Sequence, residues 1–487
     1  MFVHRGVECL PRCQDRRPHR ITYSQASSDQ NEMKWLSNIL TTSFLAHCSP
    51  KMSELPHKRK RTDLATDVSS IPKRDNGFSF LEFYAGVGGW RMALDEALRE
   101  AETSRIDHTV CLAALDHSDL CLQVYHHNFP AENRVKACRI EQIKTEQLTT
   151  EWQADGWFMS PPCQPHTRQH DNQEADLHDP RSASFLHLCK VLSELPEEAL
   201  PTMICLENVV GFEESNSCRV WRQALSKRDY AVAHFHWNPT QVQLPNDRPR
   251  YFCLAVLRQK MNVPHPTLDG ILSVETNFDK APSIRTSLEV VGVKDESAAE
   301  SPTRSDLPRL REFLDLSTDD TTAHVCVPDK LLQRNASWCF DIVTPESQRS
   351  ACFTSGYGKF VKGTGSVLYT GRSNNNDKAK DNVSSAPRVD FTLQRPEDRQ
   401  FDSDWSKSLE KGSLRYLSGI EIARLMGFDP RFQFPESCSP KQQWKLVGNS
   451  LNVRLAARLI SLGWYLCGKL PFPVPTSVDN AKAPDNE

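Results

Sequence analysis

Short apolar segments alternate with helical segments between residues 78 and 257 of this 487-residue chain. The apolar segments are rich in strand-forming residues, and they lie at 78–83, 109–115, 157–159, 203–206 and 251–257. A stretch with helical periodicity, 90–101, follows the first of them. Short strands that alternate with helices are typical of a parallel, doubly wound sheet. The sequence therefore predicts an α/β fold whose ligands bind at the carboxyl edge of the strands.

Changes in composition divide the chain into five predicted parts. Residues 1–76 are polar and lack periodicity, so we predict a disordered N-terminal arm. A basic run in this arm, 57–61, is either a nuclear address or a solvated charge cluster. Residues 371–410 are low in apolar content and predict a loop insertion. The other predicted parts are a catalytic domain at 77–262, a smaller target-recognition region with flexible inserts at 263–413, a C-terminal segment that returns to the catalytic domain at 414–470, and a disordered tail at 471–487.

Charge and cysteine content narrow the class of protein. The net charge is −3, which still allows a local basic groove for a nucleic acid. No apolar stretch reaches the roughly 18 residues that a membrane-spanning helix needs. The 16 cysteines are scattered without paired motifs, as is typical of reduced thiols rather than of zinc ligands. We therefore expect a cytoplasmic or nuclear protein that has no metal site and no membrane partner.

A glycine-rich turn follows the first predicted strand. Residues 83–89 read Phe-Tyr-Ala-Gly-Val-Gly-Gly and precede the predicted helix. Glycines let a ligand approach the backbone, and a helix N-terminus offers free N–H groups. Asp116 ends the next predicted strand, where an acid suits the ribose hydroxyls of a nucleoside cofactor. The alternative is an ordinary strand–helix turn with a capping aspartate.

A single cysteine lies in a proline-rich loop after the third predicted strand. The segment 160–165 reads Ser-Pro-Pro-Cys-Gln-Pro. A lone cysteine is most often a small buried apolar residue. The prolines instead place Cys163 on a rigid loop that projects into a cleft. A cysteine in that position can act as a nucleophile once its thiolate forms.

Three further segments carry polar groups at predicted strand or helix ends. Glu207 ends the strand at 203–206, where it is either a surface residue or a partner for the ring nitrogen and amine of a base. Arg248 and Arg250 lie two residues apart on an extended segment and point the same way. They suit a carboxylate, a phosphate or a base carbonyl, or they form a solvated basic turn. Residues 446–453 lead into a helix, with polar residues that either cap it or close a cofactor pocket.

Taken together and in order, these segments resemble the cytosine-5 methyltransferase family over residues 78–462, without the inserts. Within the family the chain is most similar to the branch that methylates transfer RNA. The segments 160–168, 351–359, 363–368 and 420–428 carry this similarity. The branch usually has Phe at the position of His166, Ser at Ala85 and a larger residue at Pro249.

The resemblance implies a Rossmann-like core that binds S-adenosylmethionine. Asp116 would contact the ribose, and Ile140 and Glu141 would flank the adenine. The remaining implied cofactor contacts are Tyr84, Val87, Gly88, Gly89, Ser160, Ser450 and Asn452.

The resemblance also implies covalent catalysis on cytosine. The Cys163 thiolate would add to C6, Glu207 would hold N3 and the exocyclic amine, and Arg248 and Arg250 would orient the base and the cysteine loop. The target base must leave its stack, which costs least in a single-stranded loop. The implied substrate is the anticodon loop of a transfer RNA, by resemblance cytosine 38 of aspartate transfer RNA. DNA methylation is the second hypothesis, and a nucleic-acid-binding protein with little catalysis is the third.

Overall fold

A mixed β-sheet forms the centre of the protein. In this computed structural model, the described residues are 77–470 without the internal stretches 102–105, 107, 132–133, 163–178, 263–269, 296–305, 317–325, 335–336 and 370–413. Cys163 and His166 lie outside the described residues. So do the predicted N-terminal arm, the predicted tail and the insert at 371–410.

The strands of the main sheet are β1 (Gly77–Phe83), β2 (His108–Asp116), β3 (Val135–Ala137), β4 (Gly156–Met159), β5 (Met203–Val209), β6 (Tyr230–Trp237), β7 (Arg250–Leu257) and β8 (Ile284–Arg285). Among the described residues they pair in the order β3-β2-β1-β4-β5-β7-β6-β8. The strands β1 to β5 are parallel wherever they pair. β7 is antiparallel to both β5 and β6.

Helices cover both faces of this sheet. They are α1 (Gly89–Glu100), α2 (Asp119–Asn128), α3 (Thr145–Thr149), α4 (Ala183–Glu194), α5 (Asn216–Lys227), α6 (Asp329–Leu332), α7 (Gly419–Leu425), α8 (Pro440–Gly448) and α9 (Val453–Leu466). Buried side chains of α1, α2 and α9 join one apolar core. Those of α3, α4 and α5 join a second core on the opposite face. This arrangement confirms the predicted α/β class.

The sheet differs from the prediction in strand direction and in strand number. The five predicted strands are present, but β7 runs against β5, so the sheet is not parallel throughout. β6 was not predicted, because its two histidines are unusual in a buried strand. His234 is buried beside the Tyr251 hydroxyl, 2.6 Å from its Nδ1, and beside the carboxylate of Glu275. These partners come from distant segments, so the sequence alone does not reveal them.

The last helix packs against the first one. α9 contacts α1 as well as β5 and β7. Its Gly463 allows a close approach to the sheet, because a Cβ there would lie 2.4 Å from the Met203 side chain. Trp464 packs edge-on against Phe78 of β1, with ring centroids 5.5 Å apart. Residues from near both ends of the described chain therefore share one core.

A smaller sheet is formed by segments that follow the main sheet in the sequence. It consists of β9 (Asp341–Val343), β10 (Ser366–Tyr369) and β11 (Leu414–Tyr416), with β10 in the middle. Arg415 of β11 forms a buried ion pair with Glu421 of α7, at 2.7 Å. The segment between β9 and β10 is the one that reaches the candidate site described below.

Candidate active site

Four strands of the main sheet reach the predicted site at the same level. Phe83 of β1 is in register with Leu115 of β2 and with Met159 of β4, and Met159 is in register with Leu206 of β5. The next residue on each strand belongs to the predicted site. Across the sheet these residues form one row: Asp116, Tyr84, Ser160 and Glu207. Parallel strands thus bring residues from four distant parts of the sequence to one carboxyl edge.

The glycine turn wraps around the Asp116 carboxylate. Gly86 donates its backbone N–H to Asp116 Oδ2 at 2.9 Å, and Ser118 donates to Oδ1 at 2.8 Å. Gly88 has φ 89°, and a Cβ there would lie 2.6 Å from the Phe129 ring. Only glycine fits at this position without displacing that ring. A carboxylate has about four acceptor sites, so Asp116 retains acceptors for the hydroxyls of a ligand.

The C-terminal segment closes the turn from the other side. A Cβ on Gly89 would lie 3.0 Å from Leu451 and 3.3 Å from Ser450 Oγ. Asn452 caps α9, because its Oδ1 accepts the backbone N–H of Leu455 at 3.0 Å. Its amide nitrogen is buried and has no hydrogen-bond partner among the described residues. A donor left in that state fits a site that holds a polar ligand.

The predicted adenine-flanking residues lie next to Asp116. Cys138 donates its N–H to the Asp116 carbonyl at 2.9 Å, and the 3₁₀ turn Ile140–Gln142 follows directly. The side chain of Ile140 is buried in the core, whereas Glu141 is exposed. Tyr84 donates its hydroxyl to Ser184 Oγ at 3.0 Å. Val87 is also buried, so at Val87 and Ile140 most of the side chain packs inside the protein.

Ser160 lies in the row between the Asp116 side and Glu207. Its hydroxyl accepts the indole N–H of Trp90 at 3.0 Å. The same hydroxyl is close enough to the Glu207 carboxyl to act on its pKa. Asn208 donates its side-chain amide to the Pro161 carbonyl at 3.3 Å. The start of the proline loop is therefore anchored to both α1 and β5, three and two residues before Cys163.

Glu207 is a buried carboxyl beside a guanidinium. It is 7% exposed, and its Oε1 lies 3.3 Å from Arg250 Nε. Burial raises the pKa of the Glu207 carboxyl above its usual value, although the charges of Arg250 and Arg248 and the Ser160 hydroxyl act against this. A carboxyl with a raised pKa keeps its proton at higher pH, and it can then donate to a ring nitrogen.

The two arginines point the same way but have different partners. Arg250 pairs with Glu207, whereas Arg248 is 2% exposed and binds backbone carbonyls. Its guanidinium donates to the carbonyls of Phe353 at 2.5 Å, Gly448 at 3.1 Å and Ser450 at 2.7 Å. Arg248 therefore holds together three chain segments, and Arg250 is the arginine of the pair that contacts Glu207.

Cys352 is a member of this cluster that the site prediction omitted. Arg248 Nη1 donates to its sulfur at 3.3 Å, and Arg250 Nη2 lies 3.7 Å from the same sulfur. Burial acts to raise the pKa of the Cys352 thiol, but the charges of the two arginines outweigh it and lower that pKa. The similarity of segment 351–359 to the transfer-RNA branch was the sequence signal, yet it did not indicate these partners.

A close backbone contact holds the Cys352 segment in place. A Cβ on Gly448, the last residue of α8, would lie 2.3 Å from the backbone of Thr354. Any larger residue would push the helix away from that segment.

Within the described residues there is no cluster of three or more potential metal ligands, and no helix is long and apolar enough to span a membrane.

Comparison with known proteins is consistent with this geometry. The family model of C-5 cytosine-specific DNA methylases matches residues 78–462. A human tRNA (cytosine(38)-C(5))-methyltransferase is 34% identical over 416 residues, covering 78% of this chain and 98% of that protein. A Dictyostelium discoideum DNA (cytosine-5)-methyltransferase is 31% identical and covers 78% of this chain and 93% of its own length.

A solved structure is also similar to this chain. The crystal structure of a Dnmt2 variant from Spodoptera frugiperda is 28% identical, with a TM-score of 0.57. The match covers 80% of this chain and 99% of that one. The similarity therefore extends over nearly the whole length of the solved protein.

Proposed function

Because this chain belongs to the C-5 cytosine-specific DNA methylase family, we propose that it methylates C5 of a cytosine in the anticodon loop of a transfer RNA. The observation that carries the proposal is the buried pair of Glu207 and Arg250 beside the start of the proline loop, which Asn208 anchors to β5. The relatives named as tRNA (cytosine(38)-C(5))-methyltransferases support an RNA substrate, and by that likeness cytosine 38 of aspartate transfer RNA is the proposed target. The proposed compartment is the cytoplasm, the nucleus or both.

The proposed methyl donor is S-adenosylmethionine, which when bound supplies a methyl group on a sulfonium sulfur. Asp116 would accept hydrogen bonds from the ribose hydroxyls. The backbone N–H groups of Gly86 and Ser118 keep its carboxylate in place. Gly88 and Gly89, at the N-terminus of α1, are two further proposed contacts. The unpartnered amide of Asn452 offers one more donor. The other proposed contacts remain Tyr84, Val87, Ile140, Glu141, Ser160 and Ser450.

Cytosine C5 is a weak nucleophile until C6 is attacked. We assign that attack to the Cys163 thiolate, which forms an S–C6 bond and turns C5 into an enamine carbon. Protonated Glu207 donates to N3 and accepts from the exocyclic amine, so it stabilises the charge that develops on the ring. After methylation, loss of the C5 proton lets the S–C6 bond break and regenerates the thiolate.

Each predicted part of the chain has its own proposed role. Residues 77–262 would carry the cofactor and catalytic groups, and 263–413 would contact the RNA. Residues 414–470 would complete the cofactor pocket, an assignment supported by the contact of Gly89 with Leu451.

Methylation assays on total small RNA and on duplex DNA test this function. Bisulfite sequencing of transfer RNA from cells with and without the protein then locates the modified cytosine. Labelling of DNA alone would contradict the RNA proposal and favour the activity named for the Dictyostelium relative. Binding of nucleic acid without labelling of either substrate would favour the third hypothesis.

Replacement of Glu207 by glutamine should lower kcat/KM by about 10²- to 10⁴-fold. The replacement should also abolish the decline of activity at high pH. Because the active carboxyl is protonated, the parent activity should fall as pH rises through the raised pKa of Glu207. Glutamine does not titrate, so Glu207→Gln should lack this decline. The measurement is kcat/KM against pH for both proteins.

A second buried glutamate provides the matched control. Glu213 is 6% exposed and pairs with His236 Nε2 at 2.8 Å. Glu213→Gln should keep the decline at high pH. A Glu207→Gln profile with the same alkaline limb as the parent would contradict the assigned role.

Replacement of Asp116 by asparagine should weaken S-adenosylmethionine binding by about ten- to a hundredfold, because charge-assisted hydrogen bonds to the ribose are lost. The asparagine oxygen can still accept one of the two backbone N–H groups. Isothermal titration with the methyl donor measures the change. Asp119→Asn, at the exposed start of α2, is the control and should bind as tightly as the parent. Equal affinity in both variants would exclude the ribose contact.

A further inference from the structure

One aromatic side chain faces solvent beside the Cys352 cluster, which consists of Cys352, Arg248, Arg250 and Glu207. Phe360 is 59% exposed, more than any other large apolar side chain among the described residues. Single exposed apolar residues are common on protein surfaces, so exposure alone says little. The surroundings of Phe360 distinguish it from an ordinary surface residue.

The turn that carries Phe360 is rigidly built. Its ends are joined by a backbone hydrogen bond from Thr354 N to the Thr364 carbonyl at 3.0 Å. Phe360 itself donates to the Gly356 carbonyl at 3.1 Å and accepts the Thr364 hydroxyl at 2.8 Å. The Tyr357 ring holds the turn against α8, because it packs edge-on against the Trp444 ring with centroids 5.4 Å apart. The ring of Phe360 is therefore presented to solvent from a fixed backbone.

This turn lies next to the Cys352 cluster. The edge of the Phe360 ring and the Thr354 hydroxyl lie 3.0 and 3.5 Å from the same point, the ideal Cβ position of Gly356. The residue before Thr354 is Phe353, whose carbonyl accepts from Arg248. The exposed ring is thus one short turn away from the residues that hold Cys352 and Glu207.

Positive charge accompanies the ring. Lys359 and Lys362 are both exposed on the same turn. The Lys359 ammonium lies 5.1 Å from the centroid of the Phe360 ring. An aromatic ring flanked by exposed lysines is the combination that proteins use for single-stranded nucleic acids, since the ring stacks on a base and the lysines contact phosphates.

We propose that Phe360 stacks on an unpaired base of the substrate RNA next to the target cytosine, and that Lys359 and Lys362 contact the adjoining phosphates. This inference rests on the proposed RNA substrate. When the target cytosine leaves its stack, a neighbouring base loses a stacking partner. Phe360 replaces that partner, and because every base has an aromatic face, the contact does not depend on base identity.

The test compares Phe360→Ala and Phe360→Trp on an anticodon stem–loop RNA. Phe360→Ala should raise both the Kd and the KM for RNA by roughly tenfold and leave kcat nearly unchanged. Phe360→Trp should restore parent values, which a merely structural role would not predict. Val274→Ala is the control: this exposed residue follows Ser273, which bridges to Val232 near the opposite edge of the sheet.

Salt dependence separates the ring from the lysines. A Lys359→Gln, Lys362→Gln double variant should reduce the slope of log Kd against log salt by about 1.4. Phe360→Ala should leave that slope unchanged. Fluorescence anisotropy measures binding without any need for methyl transfer.

The outcomes distinguish this inference from the proposed function. If the parent methylates RNA and Phe360→Ala has the parent Kd and KM, the stacking contact is wrong and the function stands. If the parent methylates only DNA but its RNA affinity falls in Phe360→Ala and returns in Phe360→Trp, the stacking contact stands and the function is wrong. A parent that neither binds nor methylates RNA overturns both.

Discussion

A Cys163→Ala variant should form no covalent adduct with RNA that contains 5-fluorocytosine, and its methyl transfer should fall by about a thousandfold or more. Fluorine at C5 cannot leave as a proton does, so the S–C6 bond of the parent enzyme should persist. The start of the loop is held by contacts of Ser160 and Pro161, which do not depend on the side chain at 163. The variant should therefore fold and bind RNA normally while losing the chemistry.

A denaturing gel and mass spectrometry of the adduct measure this result. Cys467→Ala is a suitable control, because burial raises the pKa of the Cys467 thiol to about 12 and keeps it protonated under assay conditions. That variant should form the adduct as the parent does. Persistence of an adduct in Cys163→Ala would show that another residue attacks C6.

The second large effect is expected for Arg248→Lys. The guanidinium binds three backbone carbonyls and the Cys352 sulfur from a buried position. A lysine ammonium has no planar fork, so it leaves some of these acceptors buried without a donor. We expect a loss of about 3–5 kcal/mol in the free energy of unfolding and a large loss of activity.

Urea unfolding and methylation assays measure the two effects of Arg248→Lys. Arg258→Lys, in the turn that follows β7, is the matched control. Its guanidinium is 54% exposed and pairs with Asp229 at 3.0 Å, a surface contact worth at most about 1 kcal/mol. If both variants unfold at the same urea concentration, Arg248 does not hold the three segments together.

The row of residues at the carboxyl edge was predictable from the sequence for a simple reason. Apolar strands are local patterns, and the polar residue that ends each strand lies at the same edge whenever the strands are parallel. Asp116 and Glu207 could therefore be placed without knowledge of the packing. The spacing of Arg248 and Arg250 likewise predicted that they point the same way, and both contact Cys352.

The contacts that hold this row in place were not predictable from the sequence. Arg248 meets carbonyls that are 105 to 202 residues away, and local periodicity contains no information about such pairs. The direction of β7 depends on its pairing with β6, a strand whose histidines find their partners only in the folded protein. The different partners of the two arginines are visible only in three dimensions.

The packing of α9 against α1 also has a consequence for how the protein is made. β1 and the glycine turn leave the ribosome early, whereas the helix that covers them and the carbonyl of Ser450 are among the last described residues to emerge. The nascent chain must therefore keep its exposed apolar strands soluble until α9 has been synthesised. Such long-range closure slows folding and favours chaperone binding during translation. Ribosome profiling of chaperone-bound nascent chains should accordingly show engagement from soon after β1 emerges until α9 has been released.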